Sequence, residues 1–334
     1  NIVMTGDVPE REFLCAGRPG RGRRVAIHCP HDEAVVSRVH EAGPGDLEAA
    51  IAAAAAALPE TRGLPAARRA GILRAMAAAV EARGEELAQV IALEAGKPIR
   101  QARAEVLRCD ITLHSAALEA ERARDERFDF NDLPGGAGRV GLVRRFPVGP
   151  VAAITPFNFP LNLVAHKLAP AIAAGCPVVL KPAPQAPSPA LLLGEIALRC
   201  GWPAGALSVL PLAVADAAPL VDDARLSMLT FTGSPAVGWA LKARATRKKV
   251  TLELGGNAGV IVHDDADLAA AAAKCVAGGF SYAGQSCIAV QRIFVQRAAH
   301  DAFLAEFLPR VRALVTDHPL SESADLSAMI KAAE

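Results

Sequence analysis

The stretch VGPVAAITPFNFPLNLVAHKLAPAIAAGCPVVLKPAP, residues 148–184, decides the fold class of this protein. Two short apolar runs, VAAI and VVL, are each followed closely by a proline, and a helical segment separates them. Further strand-like and helical runs alternate after it: PSPALLLGEIALRC, LSVLP, RLSMLTFTGS, VTLELGG, GVIVHD and LAAAAAKCVAGGF. This rhythm is typical of βαβ units and predicts an α/β fold with a parallel sheet.

The first part of the chain has a different texture. Residues 45–124 repeat apolar residues at three- and four-residue spacing, which predicts helices, the first with Asp46 as its N-cap. In residues 125–150 turn residues lie between two alternating apolar runs, which predicts a hairpin. Its GAGRVG (136–141) matches GxGxxG, but the turn-like NDLPG precedes it, and LVRRFPVGP follows it with Pro147 and Pro150 opposing a helix, so we reject a dinucleotide fingerprint there.

Length and charge limit the kinds of partner. A chain of 334 residues predicts two domains. Charged residues make up 21% and the net charge is +1, which predicts neither a nucleic-acid nor a membrane-surface partner. LEAAIAAAAAAL (47–58) is too short and too rich in alanine to span a membrane, so we expect a packed helix.

Cysteine usage suggests the compartment. Seven cysteines without a CxxC pattern favour a reducing environment, and NIVMTGDVPEREF (1–13) lacks the pattern of a signal peptide, so a cytoplasmic location is expected. The missing initiator Met suggests a start inside a longer chain. HCPHDE (28–33) has metal-capable side chains but no second cluster at zinc spacing, so an ordinary polar turn is expected and no metal is predicted.

Two residues stand out as chemical candidates. Cys287 lies in GGFSYAGQSCIAVQRIFV (278–295), where small and polar residues precede it and an apolar, β-branched run follows. Glu253 interrupts the apolar run of VTLELGG (250–256). A carboxylate in apolar surroundings has a raised pKa and can act as a general base. An outward-facing residue on an edge strand is an equally good interpretation of Glu253.

Three further stretches favour ligand binding. Asn158 lies between two aromatic residues in ITPFNFPLNL (154–163), where its amide could donate to an oxyanion or cap a turn. Lys181 ends the strand of VVLKPAP (178–184), the position at which nucleotides bind in parallel sheets. TFTGSPAVG (230–238) indicates a strand, a turn and a helix start that could hold a phosphate.

The series PFNFP, KPAP, FTGSPAVG, LELGG and GQSC resembles the NAD(P)-dependent aldehyde dehydrogenase superfamily. EAGKP (94–98) and AEV (104–106) match that family's N-terminal helices. The resemblance implies an aldehyde-dehydrogenase-like α/β fold. Its parts would be a Rossmann-type cofactor domain (1–122 and 147–254), a bridging hairpin (123–146) and an α/β catalytic domain (255–334).

The resemblance also implies a mechanism. Cys287 would attack the aldehyde to give a thiohemiacetal whose oxyanion is held by Asn158 and the Cys287 backbone N–H. Hydride transfer would leave a thioester, and Glu253 would activate the water that hydrolyses it. A CoA-acylating relative is the first alternative, although such enzymes generally lack the Glu of ELGG. A non-catalytic scaffold of the same fold is the second.

By the same resemblance the cofactor is NAD or NADP. Its expected contacts are Thr155, Pro156, Phe157, Lys181, Pro184, Gly233, Ser234, Val237, Leu254 and Gly255. Many NAD-selective relatives carry a Glu where this chain has Pro184, so tolerance of NADP is expected.

The substrate and assembly are implied less directly. The sequence looks most like the branch of lactaldehyde and non-phosphorylating glyceraldehyde-3-phosphate dehydrogenases. Arg122 aligns with a phosphate-binding Arg of the latter, whereas Ser286 replaces an Arg, so a small hydroxylated or anionic aldehyde is expected. Dimers or tetramers would form through the 123–146 hairpin. Family members continue beyond DLSAMI (325–330) with an ExFGP motif that this sequence does not contain.

Overall fold

The computed structural model describes residues 8–123 and 125–331. Residues 1–7, which belong to the stretch considered for a signal peptide, lie outside this part. The outer limits of the expected domains, residues 1 and 334, also lie outside it. Within it the chain forms fourteen β-strands and ten α-helices.

The strands are short, and most belong to one sheet. They are β1 (Glu10–Arg11), β2 (Phe13–Cys15), β3 (Arg18–Gly20), β4 (Arg23–His28), β5 (Val35–Glu41), β6 (Glu126–Asp129), β7 (Val140–Val143), β8 (Val151–Ile154), β9 (Val178–Lys181), β10 (Leu207–Val209), β11 (Met228–Gly233), β12 (Lys249–Leu254), β13 (Ala258–Val262) and β14 (Val290–Val295).

The helices lie between and around these strands. They are α1 (Pro44–Gly63), α2 (Ala66–Ala82), α3 (Gly84–Ala95), α4 (Ile99–Arg122), α5 (Asn162–Ala174), α6 (Ser188–Arg199), α7 (Ala218–Asp222), α8 (Pro235–Arg244), α9 (Leu268–Phe280) and α10 (His300–Arg312).

The main sheet has the order β12-β11-β8-β9-β10-β2-β3, and its first five strands are parallel. The chain runs from β8 outward to β10 and then returns to place β11 on the other side of β8. A crevice forms at such a reversal of strand order, outside the carboxyl ends of the strands, and it is the usual ligand site of open α/β sheets. The predicted parallel sheet is therefore confirmed, with its switch point between β8 and β11.

The centre of the sheet consists of uninterrupted apolar strands. Every residue of β9 is buried and β8 is buried at three of its four positions, as expected for strands covered by helices on both faces. Helix α5, which joins them, ends at Gly175 with φ +77°, and a Cβ there would lie 2.8 Å from the Thr61 carbonyl oxygen. Glycine is required at this turn because a side chain would be strained and would also clash.

Residues 125–150 form the predicted hairpin. Strands β6 and β7 pair antiparallel, and GAGRVG lies in their turn and at the start of β7. The rejection of a dinucleotide fingerprint there is confirmed, because the motif neither follows a strand of the main sheet nor opens a helix.

The two largest apolar clusters lie on either side of residue 254, and a small cluster of Ala95, Ala186 and Tyr282 joins the two sides. The larger extends from Phe13 to Ala245, and a smaller one contains Val262 and Phe303 between α9, α10 and the parallel pair β13–β14. This separation is compatible with the expected domain limits, which remain a prediction.

Two expectations about the N-terminal part need correction. Asp46 is not the N-cap of α1, because Pro44 begins the helix and the Asp46 carboxylate accepts from the Gly43 N–H at 2.8 Å. The strands β1–β5 were not predicted, since they are short and four of the five carry charged residues. LEAAIAAAAAAL does lie within a packed helix, α1. Among the described residues, no helix has both the length and the apolar character needed to cross a membrane.

Candidate active site

The crevice at the switch point is bordered by the segments that follow β8 and β11. Thr155 continues β8, and its backbone N–H donates to the Lys181 carbonyl at 3.1 Å. Its hydroxyl is buried without a hydrogen-bond partner in the described part of the chain. A buried polar group without a partner is uncommon, and one at a ligand crevice is available to a bound group.

On the other side of the crevice, Ser234 is the N-cap of α8. The first amides of a helix have no partner within the helix, so this helix start can receive a phosphate. Gly233 and Gly238 are glycines for steric reasons, because a Cβ would lie 2.5 Å from the Phe231 ring or 2.4 Å from the Leu254 side chain.

The other expected cofactor residues border the same edge of the sheet. Lys181 ends β9 and is almost fully buried, and burial lowers the pKa of its ammonium group. Pro184 lines a cavity of about 650 Å³ with Gln185 and Glu94. Val237 is exposed on the first turn of α8, and Gly255 follows β12 with Pro235 nearby. The side chain of Phe157, however, packs against Tyr282 and Ala186.

Cys287 follows a strained turn. Tyr282 and Ala283 have φ values of +51° and +52°, in the left-handed region that L-residues rarely occupy, and Gly284 continues it at +76°. The Tyr282 hydroxyl donates to the Ala95 carbonyl, which anchors the turn to the end of α3. Such strain persists only where surrounding contacts hold it, and it is typical of functional sites.

Glu253 lies beside Cys287. Burial raises the pKa of the Cys287 thiol, and the Glu253 carboxylate, within hydrogen-bonding range, raises that pKa further. Glu253 itself is exposed on the edge strand β12, so the expectation of apolar surroundings was wrong. The interpretation of Glu253 as an exposed residue on an edge strand is therefore correct. Its carboxylate nevertheless lies near the Cys287 thiol. A base and a nucleophile within reach of each other are the minimum for nucleophilic catalysis.

Asn158 joins the segment after β8 to the turn before the cysteine. Its side-chain amide donates to the Gln285 carbonyl at 2.9 Å. A primary amide has two N–H donors, so one of them can still serve a ligand. The three residues expected to be catalytic, Cys287, Glu253 and Asn158, are thus brought together.

Sequence reasoning missed Lys167 on α5. Its ammonium donates to the hydroxyls of Thr230 and Thr232 on β11, at 3.0 and 2.9 Å. Burial lowers the pKa of Lys167 to about 8, against the opposite effect of the Glu253 carboxylate. The signal in the sequence was a lysine within the apolar helix NLVAHKLAPAIAA (162–174).

Sequence reasoning also missed Arg108 on α4. Its guanidinium lies 5.4 Å from the centroid of the Phe159 ring and is close enough to Cys287 to lower that thiol's pKa slightly against burial and Glu253. Arg122 lies 14 residues further along α4, about 21 Å at 1.5 Å per residue, and pairs with Glu119 on the surface. Arg122 is therefore not brought to Cys287. Ser286 directly precedes Cys287 in the chain, and its hydroxyl accepts from the Ile288 N–H.

The turn HCPHDE gains one further group from the fold. The ligand-capable atoms of Cys29, Asp32 and His318 lie within 4.8 Å of one another. Nδ1 of His318 accepts from the Leu320 N–H at 3.2 Å, so the neutral ring carries its proton on Nε2, which is 3.8 Å from Asp32. A metal at Nε2 would require the opposite tautomer.

Comparison with known proteins gives consistent matches. The profile of the aldehyde dehydrogenase family matches residues 18–334. A 3-sulfolactaldehyde dehydrogenase of Priestia megaterium is 42% identical over 290 residues, which are 86% of this chain and 60% of that protein. The chain spans about 60% of the length of this relative and of two other curated relatives that it matches.

Solved structures match over almost all of the chain. Aldehyde dehydrogenase 21 from Physcomitrella patens, in complex with the reaction product succinate, has a TM-score of 0.93 and 40% identity, covering 97% of this chain and 68% of that one. An NADP-dependent glyceraldehyde-3-phosphate dehydrogenase from Bacillus halodurans, complexed with NADP, has a TM-score of 0.92 and 33% identity, covering 96% and 68%.

Proposed function

Because the chain belongs to the aldehyde dehydrogenase family, we propose that it oxidises an aldehyde to a carboxylic acid with NAD or NADP through a covalent intermediate on Cys287. The observation that carries this proposal is the Glu253 carboxylate beside the Cys287 thiol. The two residues are 34 positions apart in the sequence and lie on different elements, so the fold brings them together.

The proton of the thiol decides how the reaction starts. Burial and Glu253 both raise the pKa of Cys287, so the thiol is protonated at neutral pH and needs a base when it attacks. Glu253 accepts that proton while the sulfur bonds to the aldehyde carbon. The thiohemiacetal oxygen receives the negative charge.

Asn158 stabilises that charge. Its amide is fixed by the Gln285 carbonyl, and its second N–H, together with the Cys287 backbone N–H, is available to the oxyanion. Donors held in place before the reaction cost no reorganisation when the charge develops.

The residues at the switch point fit a nicotinamide dinucleotide. Thr155, Lys181 and Ser234 lie at the carboxyl ends of the neighbouring strands β8, β9 and β11. The Thr155 hydroxyl has no hydrogen-bond partner in the described part of the chain, Lys181 is buried, and Ser234 caps α8. A nicotinamide bound there would supply the acceptor for the hydride of the thiohemiacetal carbon. Pro184 places no carboxylate near the ribose, so nothing at this position repels the 2′-phosphate of NADP.

Release of the product requires water and a base. Once its first proton has been passed to solvent, the exposed Glu253 carboxylate can take a proton from a water that attacks the thioester. The attack releases the carboxylic acid, and the thiol of Cys287 recovers its proton. A CoA-acylating enzyme would not need this carboxylate, so the position of Glu253 favours hydrolysis.

Arg108 supports a substrate class, an aldehyde that also carries an anionic group. Its guanidinium lies over the Phe159 ring and acts on the Cys287 thiol, so it can pair with a carboxylate, sulfonate or phosphate on the substrate. The matched proteins act on 3-sulfolactaldehyde and glyceraldehyde 3-phosphate or hold succinate, and each of these molecules is anionic. We therefore assign to Arg108 the role expected of Arg122.

An oligomer joined through the hairpin remains part of the proposal. Apolar side chains are exposed on β6, on β7 and in the segment that follows β7. Among them are Phe128, Leu142 and Phe146. Apolar residues clustered on an exposed hairpin are typical of an interface between subunits. Sedimentation of the purified chain would give its state in solution.

The activity is tested by following reduced cofactor with lactaldehyde, succinate semialdehyde and glyceraldehyde 3-phosphate, with NAD and with NADP, without CoA. The expected result is continuous turnover that the Cys287→Ala variant lacks, whereas a Cys200→Ala control retains it. Turnover that persists in Cys287→Ala would contradict the proposal. A single burst that resumes only when CoA is added would favour the acylating reaction.

A further inference from the structure

Lys97 and Glu105 form a buried ion pair that the proposed chemistry does not use. Lys97 lies between α3 and α4, Glu105 lies on α4, and their charged atoms are 2.5 Å apart. Their side chains are 1% and 0% exposed. A buried pair often contributes little net stability compared with apolar residues of similar volume, so stability alone does not explain its presence.

The ammonium of Lys97 has further contacts on both sides of the candidate site. It donates to the backbone carbonyl of Asn158 at 2.6 Å. It also lies over the rings of Phe159 and Tyr282, at 3.9 and 4.7 Å from their centroids. The Lys97 ammonium therefore contacts both Asn158, whose side-chain amide bonds to the turn before Cys287, and Tyr282, which lies within that turn.

Glu105 extends the same contacts to α5. The carboxylate oxygen that does not face Lys97 accepts from the backbone N–H groups of Leu161 and Asn162, at 2.9 and 3.0 Å. These are among the amides that a helix start leaves without an internal partner. Glu105 thereby fixes the start of α5, four residues after Asn158.

The second side of the site is the strained turn. Tyr282 is held by Lys97 over its ring and by the Ala95 carbonyl at its hydroxyl. Both contacts come from the junction of α3 with α4. This junction therefore holds the segment of Asn158 and the turn of Cys287 from the same side.

We propose that Lys97 and Glu105 are a positioning pair that fixes the Asn158 amide relative to Cys287. The inference rests on the proposed function, because the separation of these two groups matters for an oxyanion. Displacement of a donor by about 1 Å can lower the rate about 10²-fold, so the effect belongs in kcat.

The test uses variants of the full chain that separate position from stability. Lys97→Met leaves Glu105 as an unpaired buried charge and is expected to lower Tm and kcat. The double variant Lys97→Met/Glu105→Gln has no buried charge at these two positions and keeps an acceptor for the two amides. It is expected to regain most of the lost Tm while kcat remains about 10²-fold low and KM changes little.

Arg69→Met is the matched control. The Arg69 guanidinium also holds backbone carbonyls, those of Ala173 and Leu64, but at the opposite end of α5. It is expected to lower Tm without a comparable change in kcat. If kcat of the double variant recovers together with Tm, the pair is merely structural and the inference is overturned.

Amide hydrogen exchange provides a readout that needs no turnover. Peptides covering 155–163 and 279–288 should exchange faster in the double variant than in the wild-type chain or in Arg69→Met. Unchanged exchange in these peptides would overturn the inference whatever the activity. If the wild-type chain shows no turnover, only the proposed function is contradicted. Amide exchange would still decide the positioning role: faster exchange of these peptides in the double variant would support it, and unchanged exchange would overturn it.

Discussion

The side-chain amide of Asn158 donates to the backbone carbonyl of Gln285, two residues before Cys287, at 2.9 Å. This bond ties the segment that follows β8 to the turn that presents the cysteine. The amide is thus fixed in direction before any substrate enters, and only one of its two N–H donors is used by this bond.

Replacement of Asn158 by alanine should lower kcat by about 10²–10³-fold, the usual cost of losing one oxyanion donor. Steady-state kinetics with a reactive aldehyde would measure it. The matched control is Asn162→Ala, because the Asn162 amide oxygen accepts from Thr112 rather than facing the cysteine. Equal losses in the two variants would contradict an oxyanion role for Asn158.

Replacement of Arg108 by methionine should raise KM for an anionic aldehyde by about 10–100-fold, since a charge-assisted contact is worth about 1.5–3 kcal/mol. KM for propionaldehyde should change little, because that substrate offers no anion. Arg122→Met serves as the control, since its guanidinium pairs with Glu119 away from the cysteine. A similar rise of KM for both substrates would exclude charge recognition by Arg108.

The reaction of Cys287 with iodoacetamide should be slow at pH 7 and accelerate at alkaline pH. Burial and the Glu253 carboxylate both raise the thiol's pKa, and the thiolate is the reactive form. Glu253→Gln removes a negative charge, so the pKa should fall and alkylation at pH 7 should become faster. Peptide mapping separates Cys287 from the partly exposed Cys15 and Cys200. Slower alkylation of Cys287 in Glu253→Gln would contradict this electrostatic account.

Lys167 should make stability depend on alkaline pH. Burial lowers its folded-state pKa to about 8, below its unfolded value of about 10.4, so between these values the unfolded chain binds more protons. The stability of the wild-type chain should therefore rise with pH in this window, by at most about 3 kcal/mol. Urea unfolding at pH 7 and pH 10 would measure the change relative to Lys167→Met. A pH-independent difference between the two proteins would show that Lys167 does not titrate there.

The fold was predictable where local signals agree. The apolar runs of β8 and β9 are bounded by proline and glycine, and the helices between strands have clear periodicity, so the parallel sheet followed from the sequence. The strands β1–β5 were not predictable in this way, because they are two to seven residues long and all except β2 carry charged residues. Asp46 was misplaced because Asp at the third position of a helix and Asp at the N-cap give similar sequence signals.

The site was predictable only in part, since most of its contacts join distant segments. Cys287, Glu253 and Asn158 are marked by their short motifs. The burial of Glu253 could not be inferred, because an edge strand and a central strand can share the same apolar alternation. Arg108 and Lys167 lie on helices whose pattern shows which face is apolar but not which other segment that face meets.

A single-turnover experiment with Glu253→Gln tests whether Glu253 is the base that releases the acyl group from Cys287. The chain would be mixed with excess aldehyde and cofactor, reduced cofactor would be followed by absorbance, and the protein's mass would be measured at the plateau. Solvent can still take the proton of the thiol during the attack, so about one reduced cofactor should form per chain. An acyl adduct should then persist on Cys287, because hydrolysis lacks its base. Sustained turnover at the wild-type rate, or an adduct on any other residue, would contradict the pairing of Cys287 with Glu253.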